Sequence, residues 1–223
     1  MEEKFDVIIV GDGLAGLTAG YMLGKAGLNT VILERGEYPG SKNVCGGILF
    51  TTILGGILPN FIDEAPLERH IIKRKFSVLS KDNEIAFSFR TEKFNTPPYN
   101  NTFTVLRAKF DRWLAQKVEE TGTMILPKVI VDELIWEKNR CVGVKSRLTD
   151  SDIYADVIII AEGANSVLAE REGLKDIPSQ KRMALAVKEV LSLPEEVIQD
   201  RFGLNDSEGV AIEYFGDAVN GMF

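Results

Sequence analysis

Three glycines, Gly11, Gly13 and Gly16, stand in the spacing G-x-G-x-x-G inside the stretch "FDVIIVGDGLAGLTAGYMLGKAGLNTVILERGE". At a strand-to-helix junction this spacing suits a diphosphate. Gly11 permits the tight turn, Gly13 lets the anion approach the backbone, and Gly16 lets helix and strand pack closely. The start of the helix offers free N–H groups and a partial positive charge to the phosphates. Glu34 lies 23 positions beyond Gly11, at the end of the second apolar run. A carboxylate there accepts hydrogen bonds from ribose hydroxyls and disfavours a 2′-phosphate, so NADP is the least suited dinucleotide.

Asp12 runs against this pattern, because the position between the first two glycines usually carries a small neutral residue. Pointing inward, its carboxylate would stand beside two phosphate charges, at a cost on the order of 1–3 kcal/mol. Pointing outward it would cost little. The expectation is an outward, solvated Asp12.

The elements that must hold these residues are legible around them. "FDVIIVG" and "NTVILER" are continuous apolar runs, as in strands buried on both faces of a parallel sheet. Residues 14–26 read as a helix with Leu14, Leu17, Tyr21 and Leu23 on its apolar side and Gly27 as its stop. From residue 71 the period changes to two: "IIKRKFSVLS" and "EIAFSFR" flank the turn "KDN" and read as a hairpin. "TFTVLRAKFDRWLAQKVEETG" gives a short strand and then a helix with Phe110, Trp113, Leu114 and Val118 on one side. "MILPKVIVDELIWEKNRCVGVKSR" and "DIYADVIIIAEG" are strand-rich, with "EKNR" as a turn. "MALAVKEVLSL" reads as a strand, a short helix starts at Pro194, and "EGVAIEYFG" is a further strand. An antiparallel layer thus interrupts a parallel sheet, over 71–105 and again after 183.

Bulk properties exclude several classes. The chain has 223 residues, 45% of them hydrophobic, enough for one or two domains with a real core. A formal charge of −7 gives nucleic acid no electrostatic footprint. Two cysteines, Cys45 and Cys141, cannot supply the four thiolates of an iron–sulfur cluster, and no secretory leader precedes the first strand. A reducing cytoplasm is the default compartment, with no structural disulfide. The single histidine, His70, reads as a surface or boundary residue, and no metal site is expected. No apolar run reaches the roughly 18–20 residues needed to cross a bilayer. The nearest, "GGILFTTILGGILPNFI" at 46–62, reads as a core or interfacial helix, with a peripheral contact at the inner membrane face left open.

Three later stretches separate FAD from NAD. "ERGEYPGSKNVCGG" follows the second strand at once, "VLRAKFDRWL" places Arg107 at a strand end and Asp111 one helical turn on, and "ADVIIIAEGANS" runs a buried strand into Glu162, Gly163 and Ser166. Together they resemble the FAD-binding fold of the glutathione-reductase type in its hydroxylase-like branch, with its "R-x-x-F-D-x-x-L" and "D-G-x-x-S" segments. "ERGEYPGSKNV", "DEAPLERH", "LAVKEV" and "LPEEVIQDRFGLNDSEGV" resemble the FixC proteins of the electron-transfer-flavoprotein:quinone oxidoreductase family, itself related to geranylgeranyl reductases. The fold implied is α/β, a Rossmann-like FAD/NAD(P)-binding parallel sheet with an inserted antiparallel β layer. Residues 1–70 and 103–182 would form the FAD-binding domain. Residues 71–102 and 183–223 would form part of an antiparallel substrate or acceptor domain, incomplete at its C-terminal end.

The activity implied by the resemblance is an FAD-dependent oxidoreductase that takes electrons from an electron-transfer flavoprotein and passes them to a quinone or a ferredoxin-like protein. By position, Gly11, Gly13 and Gly16 would hold the pyrophosphate and Glu34 the ribose, with Arg35 beside the adenosine. Lys42, Asn43, Gly46 and Gly47 would approach the ribityl chain or the isoalloxazine. Arg107 would meet the phosphate or ribityl side, Val131 the adenine, and Ala161, Glu162 and Gly163 would close over the nucleotide. Val131 and Ala161 could equally be core, Arg107 an ion pair with Asp111, and Glu162 stands where the family more often has Asp. The flavin performs the redox step in such proteins. No catalytic residue is assigned, since the chain has neither G-x-S-x-G nor a serine–histidine set.

Cys45, in "NVCGG", sits where geranylgeranyl reductases bring a cysteine near the flavin, although a small buried residue is the simpler reading. "FGDAVNG" at 215–221 resembles a later FAD segment of the family, but its surroundings match an earlier region, which makes the likeness coincidental. The final strand has no evident partner in the sequence, so the chain reads as a fragment or a shortened product. Three functions follow: a FixC-like electron-transfer oxidoreductase, an isoprenoid reductase of the geranylgeranyl type, and a truncated non-catalytic binding module.

Overall fold

The computed structural model describes residues 4–43, 46–95, 102–146, 151–177, 179–183, 186–216 and 221–222. The chain divides into two compact units, one of residues 1–44 and 107–187, the other of 45–106 and 188–223.

The first unit is built on the apolar runs at the start of the chain. Strands β1 (Phe5–Val10) and β2 (Thr30–Glu34) pair in parallel, and helix α1 (Leu14–Lys25) connects them. Beyond β2 lies β7 (Met124–Pro127), and on the other side of β1 lies β10 (Ser151–Ile160), both parallel. β10 continues into an antiparallel meander with β9 (Arg140–Ser146) and β8 (Val131–Glu137), giving the order β7-β2-β1-β10-β9-β8. Ile8, Val10, Val31, Leu33, Leu134, Val144, Ala155 and Leu168 form one packed core. Helix α4 (Arg107–Glu119) buries Phe110, Leu114 and Val118, with the Trp113 ring tilted on Phe110 at 5.3 Å.

Helix α1 departs from the expected leucine-lined contact. Its buried positions are Gly16, Leu17, Gly20 and Gly24, while Leu14, Tyr21 and Leu23 are half-buried. The three glycines recur every fourth residue and form a bare stripe. A methyl on Gly20 would meet the Ile32 side chain at 2.6 Å, so the helix lies closer to its neighbours than leucines would permit.

The second unit is a sheet in the order β12-β11-β4-β6-β3, with β5 also on β4. Its strands are β3 (Gly46–Phe50), β4 (Leu67–Leu79), β5 (Glu84–Arg90), β6 (Thr102–Leu106), β11 (Glu208–Gly216) and β12 (Gly221–Met222). The expected hairpin is present as β4 and β5, with Phe76 opposite Phe87. Three short helices accompany the sheet: α2 (Thr51–Ile57), α3 (Phe61–Glu64) and α6 (Glu195–Phe202), the last capped by Pro194 and ended by the left-handed Gly203.

Several expectations change here. Residues 45–70 belong with the antiparallel unit, because β3 pairs with β6 and β4 with both β5 and β6. The segment 46–62 is a strand and two short helices rather than one core helix, with Phe50 and Ile53 exposed. Residues 186–193 form no strand and are exposed, since β11 occupies the edge of β4. β11 does have partners, β4 in parallel over Glu208–Gly216 and β12 in antiparallel. His70 is buried in β4 and stacked on Phe103, centroids 4.6 Å apart. Among the described residues no helix is long and apolar enough to cross a membrane.

Candidate functional site

The site begins where β1 and β10 end side by side. The Ala161 N–H donates to the Val10 carbonyl at 2.8 Å, and the Gly11 N–H donates to the Leu33 carbonyl at 2.8 Å. The turn leaving β1 is therefore held between the ends of its two neighbours. Gly11 has φ +104°, and a Cβ there would lie 2.7 Å from the Ala161 oxygen. Only glycine meets both demands. At Gly16 a Cβ would lie 1.9 Å from the Gly11 carbonyl oxygen, so α1 touches the turn backbone to backbone.

Gly13 differs from both. It caps α1 in an extended conformation, no side chain caps the helix, and a Cβ there would meet nothing within 4 Å. The uncapped N–H groups of a twelve-residue helix thus open onto free space. That space belongs to a cavity of about 630 Å³ within the first unit.

The cavity gathers most of the expected residues. Gly11, Gly13, Glu34, Arg35, Lys42 and Asn43 line it from the β1–α1–β2 side. Arg107, Val131, Ala161, Glu162 and Gly163 line it from α4, β8 and the end of β10. Gly16 lies behind the lining, in contact with Gly11, and Gly46 and Gly47 lie in β3 of the other unit. Cys45 falls outside the described residues, as does part of the 215–221 segment.

Several side chains in this lining are already engaged. Glu34 Oε2 accepts from the Asp12 N–H at 3.1 Å, and Oε1 accepts from the Gly36 N–H at 2.5 Å. A carboxylate keeps spare lone pairs after two such bonds, so Glu34 retains acceptor capacity toward a ribose. Glu162 accepts from the Leu168 and Ala169 N–H groups, both at 3.1 Å, and so caps α5 (Val167–Arg171). Its carboxylate holds the cavity wall.

Arg107 combines two of the roles open to it. It makes a bidentate pair with Asp111, Nε to Oδ1 and Nη2 to Oδ2, each 2.8 Å, and it also lines the cavity. Asp111 is fully buried and accepts from the Asn43 amide as well. The i, i+4 spacing from Arg107 was visible in the sequence; the link to Asn43, 68 positions earlier, was not. Ser41, Asn165 and Arg171 are further polar lining residues that sequence reasoning missed, in loops or a short helix without a motif.

Asp12 overturns its expectation. It lines the cavity and is only 4% exposed, because the N–H to Glu34 bond turns the loop inward. Burial first, then the charge and hydrogen bonding of Glu34, then the charge of Asp111, push its carboxyl up to about 8. Burial beside Glu34 thus favours its neutral form well above the ordinary carboxylate range. The described residues hold no cluster of His, Cys, Asp and Glu able to bind a metal ion.

The chain is similar to several known proteins. The chain is 44% identical to the FixC protein of Bradyrhizobium diazoefficiens and 43% identical to that of Rhizobium meliloti, over 100% and 99% of its residues. This chain is homologous to the FixC proteins along its whole described fold. It is also 43% identical over 97% of its length to an Escherichia coli protein named probable electron transfer flavoprotein-quinone oxidoreductase YgcN. The chain spans about half the length of these curated relatives, 51% of the two FixC proteins and 49% of YgcN. A family model described as the Thi4 family matches residues 2–63.

Among solved structures, the geranylgeranyl bacteriochlorophyll reductase-like protein of Thermoplasma acidophilum superposes with TM-score 0.65 at 26% identity, covering 78% of this chain and 43% of that one. The myxobacterial FAD-dependent halogenase CndH gives TM-score 0.62 at 24% identity, over 75% of this chain and 39% of its own. At that identity the likeness to CndH speaks for the fold alone. The fold is the α/β class expected, with a parallel sheet of the FAD-binding Rossmann type.

Proposed function

We propose that this chain binds FAD in the first unit and serves an oxidoreductase of the FixC type, receiving electrons from an electron-transfer flavoprotein and delivering them to a quinone or a ferredoxin-like protein. One observation carries the reading: the uncapped start of α1 at Gly13 opens onto a cavity that also contains Glu34, Arg107 and Glu162. Homology to FixC proteins over the whole chain supports the same reading. So does the named function of YgcN, carried here as a proposal.

FAD, when bound, supplies the redox chemistry itself. The chain's own residues bind and orient. The N–H groups of Leu14 and Ala15, ahead of a macrodipole, face the diphosphate. Glu34, held by two main-chain N–H groups, accepts from the adenosine ribose. Arg107, fixed in direction by Asp111, offers its remaining guanidinium edge to the phosphate or ribityl side. Val131 and Ala161 bound the adenine end apolarly, and Glu162 keeps α5 against the cavity.

A second reading, an isoprenoid reductase of the geranylgeranyl type, is favoured by one observation, the superposition on the Thermoplasma protein. The deciding experiment has two stages. Purified protein is titrated with FAD, NAD and NADP by tryptophan fluorescence; FAD binding alone is expected, and binding of NAD without FAD overturns the proposal. The flavin-loaded protein is then mixed with reduced electron-transfer flavoprotein or with a geranylgeranyl lipid. Bleaching of the flavin band by the first supports the FixC reading, and turnover of the second supports the alternative.

A further inference from the structure

Asp12 is an acidic group in the cavity that dinucleotide binding leaves without an evident task. It is 96% buried at the start of a twelve-residue helix, and its Oδ2 has no hydrogen-bond partner among the described residues. The groups around it offer no compensating cation. Glu34 faces it from β2 and Asp111 from α4. Arg107 is bound to Asp111, and Glu162 at the end of β10 is bound to the N–H groups of α5. Arg35 and Lys42 line the same cavity from the loop after β2, Arg171 lines it from α5 in an ion pair with Asp132, and among the described residues no ion pair is seen between any of these cations and Asp12.

Two carboxylates this close cannot both carry charge cheaply in a desolvated site. A diphosphate at the α1 terminus would add two further negative charges in the same region. A charged Asp12 would then oppose the ligand, whereas a neutral one has an O–H to give, and its unpartnered oxygen lies buried in the wall of the cavity.

We propose that Asp12 serves the coenzyme site as a neutral carboxylic acid, held against Glu34 in the free protein and donating its O–H to a phosphate oxygen of the bound coenzyme, so that binding and protonation are coupled. This rests on the flavin-dinucleotide reading of the cavity and adds to it a specific donor and a pH dependence. The elevated position of this carboxyl, set chiefly by burial, is in accord.

The sign follows from linkage. The bound diphosphate favours the protonated form further, so the complex keeps the proton to higher pH than the free protein does. Where the free protein has lost it, binding must take a proton from solution, and affinity falls by up to about tenfold per pH unit. Where the free protein retains it, affinity is flat. Asp12→Asn keeps the shape and supplies an N–H donor that does not titrate.

The test measures FAD affinity by tryptophan quenching at pH 6.5, 7.5, 8.5 and 9.5, at constant ionic strength, for wild type and Asp12→Asn. Ionisation of the coenzyme itself cancels between the two proteins. Wild type is expected to weaken about tenfold or more from pH 7.5 to 9.5 relative to the variant, with affinities within about threefold of each other at pH 6.5. Calorimetry of the wild type at pH 8.5 in two buffers of different ionisation enthalpy is expected to show uptake of a fraction of a proton or more. Should Asp12→Asn fail to fold, this proton count decides alone. The inference is overturned by identical pH profiles in the two proteins, or by no proton uptake in the wild type. Failure of FAD to bind either protein at any pH overturns the flavin reading itself, which is a distinct outcome.

Discussion

The main-chain N–H of Asp12 donates to Glu34 Oε2 at 3.1 Å, joining the first turn of the glycine motif to the end of the neighbouring strand. Glu34, which the proposed function assigns to a ribose, is therefore also bonded to the turn that carries Asp12. The bond that orders the motif also brings two carboxylates together. The expectations below follow from this and from the packing behind it.

Asp12 should make stability fall with rising pH. Its ordinary value is 3.8 and its folded value about 8, so between them the folded chain holds a proton that the unfolded chain has released. That contribution is fully present below the unfolded value and is lost as pH climbs through the folded one. Asp12→Asn should be more stable than wild type by about 1–3 kcal/mol at pH 8.5, with the gap closing toward pH 4.5. Thermal unfolding of both proteins across that range checks it; a constant gap counts against it.

Gly13 and Gly16 should separate binding from folding. Gly16→Ala places a methyl 1.9 Å from the Gly11 oxygen and should cost at least about 2–3 kcal/mol of stability. Gly13→Ala meets open space at an ordinary extended φ and should cost no more than about 1 kcal/mol, the loss of a glycine at the helix N-cap. The same methyl stands where the diphosphate would approach, so FAD affinity should drop about tenfold or more. Urea titration beside a flavin titration distinguishes the two effects.

Asp111 is a buried anion with two donors, Arg107 and Asn43. Arg107→Ala leaves the fully buried Asp111 carboxylate with only the Asn43 amide beside it and should cost about 3–5 kcal/mol. Asp111→Ala should cost less, because the guanidinium it frees is partly exposed and lines the cavity. Equilibrium denaturation that ranks these two substitutions in the opposite order would refute this account.

Glu162 is expected to act as a helix cap. Removing it as Glu162→Ala frees the Leu168 and Ala169 N–H groups and should cost about 1–2 kcal/mol. Glu162→Gln, with one acceptor oxygen, should lose roughly half of that. Amide exchange should quicken at Leu168 and Ala169 in the alanine variant and remain unchanged on α4.

The parallel sheet was legible because buried strands in such a sheet are unbroken apolar runs, and "FDVIIV", "TVILE" and "VIII" are that. The hairpin of β4 and β5 was legible from alternation and a polar turn. What the sequence concealed was long-range. Nothing in "EGVAIEYFG" names β4 as its partner, so it reads as a strand without one, and 183–193 reads as an additional strand. The glycine stripe of α1 was concealed because glycines carry no hydrophobic signal, although they make its closest contacts. In the site, types and spacing located Glu34 and Arg107, whereas the inward turn of Asp12 goes with a hydrogen bond that its own N–H donates to Glu34, 22 residues on.

The register of β1 on β10 sets Phe5 opposite Ala155 and Val10 opposite Ile160. During translation, one flank of β1 thus waits while the whole antiparallel insertion and α4 are made. Backbone groups of "DVIIV" stay open over that interval, and open apolar edges are where nascent polypeptides stick to one another. Pairing on that flank comes only with β10, which ties completion of the glycine turn to the pace of synthesis as well as to its own local propensity.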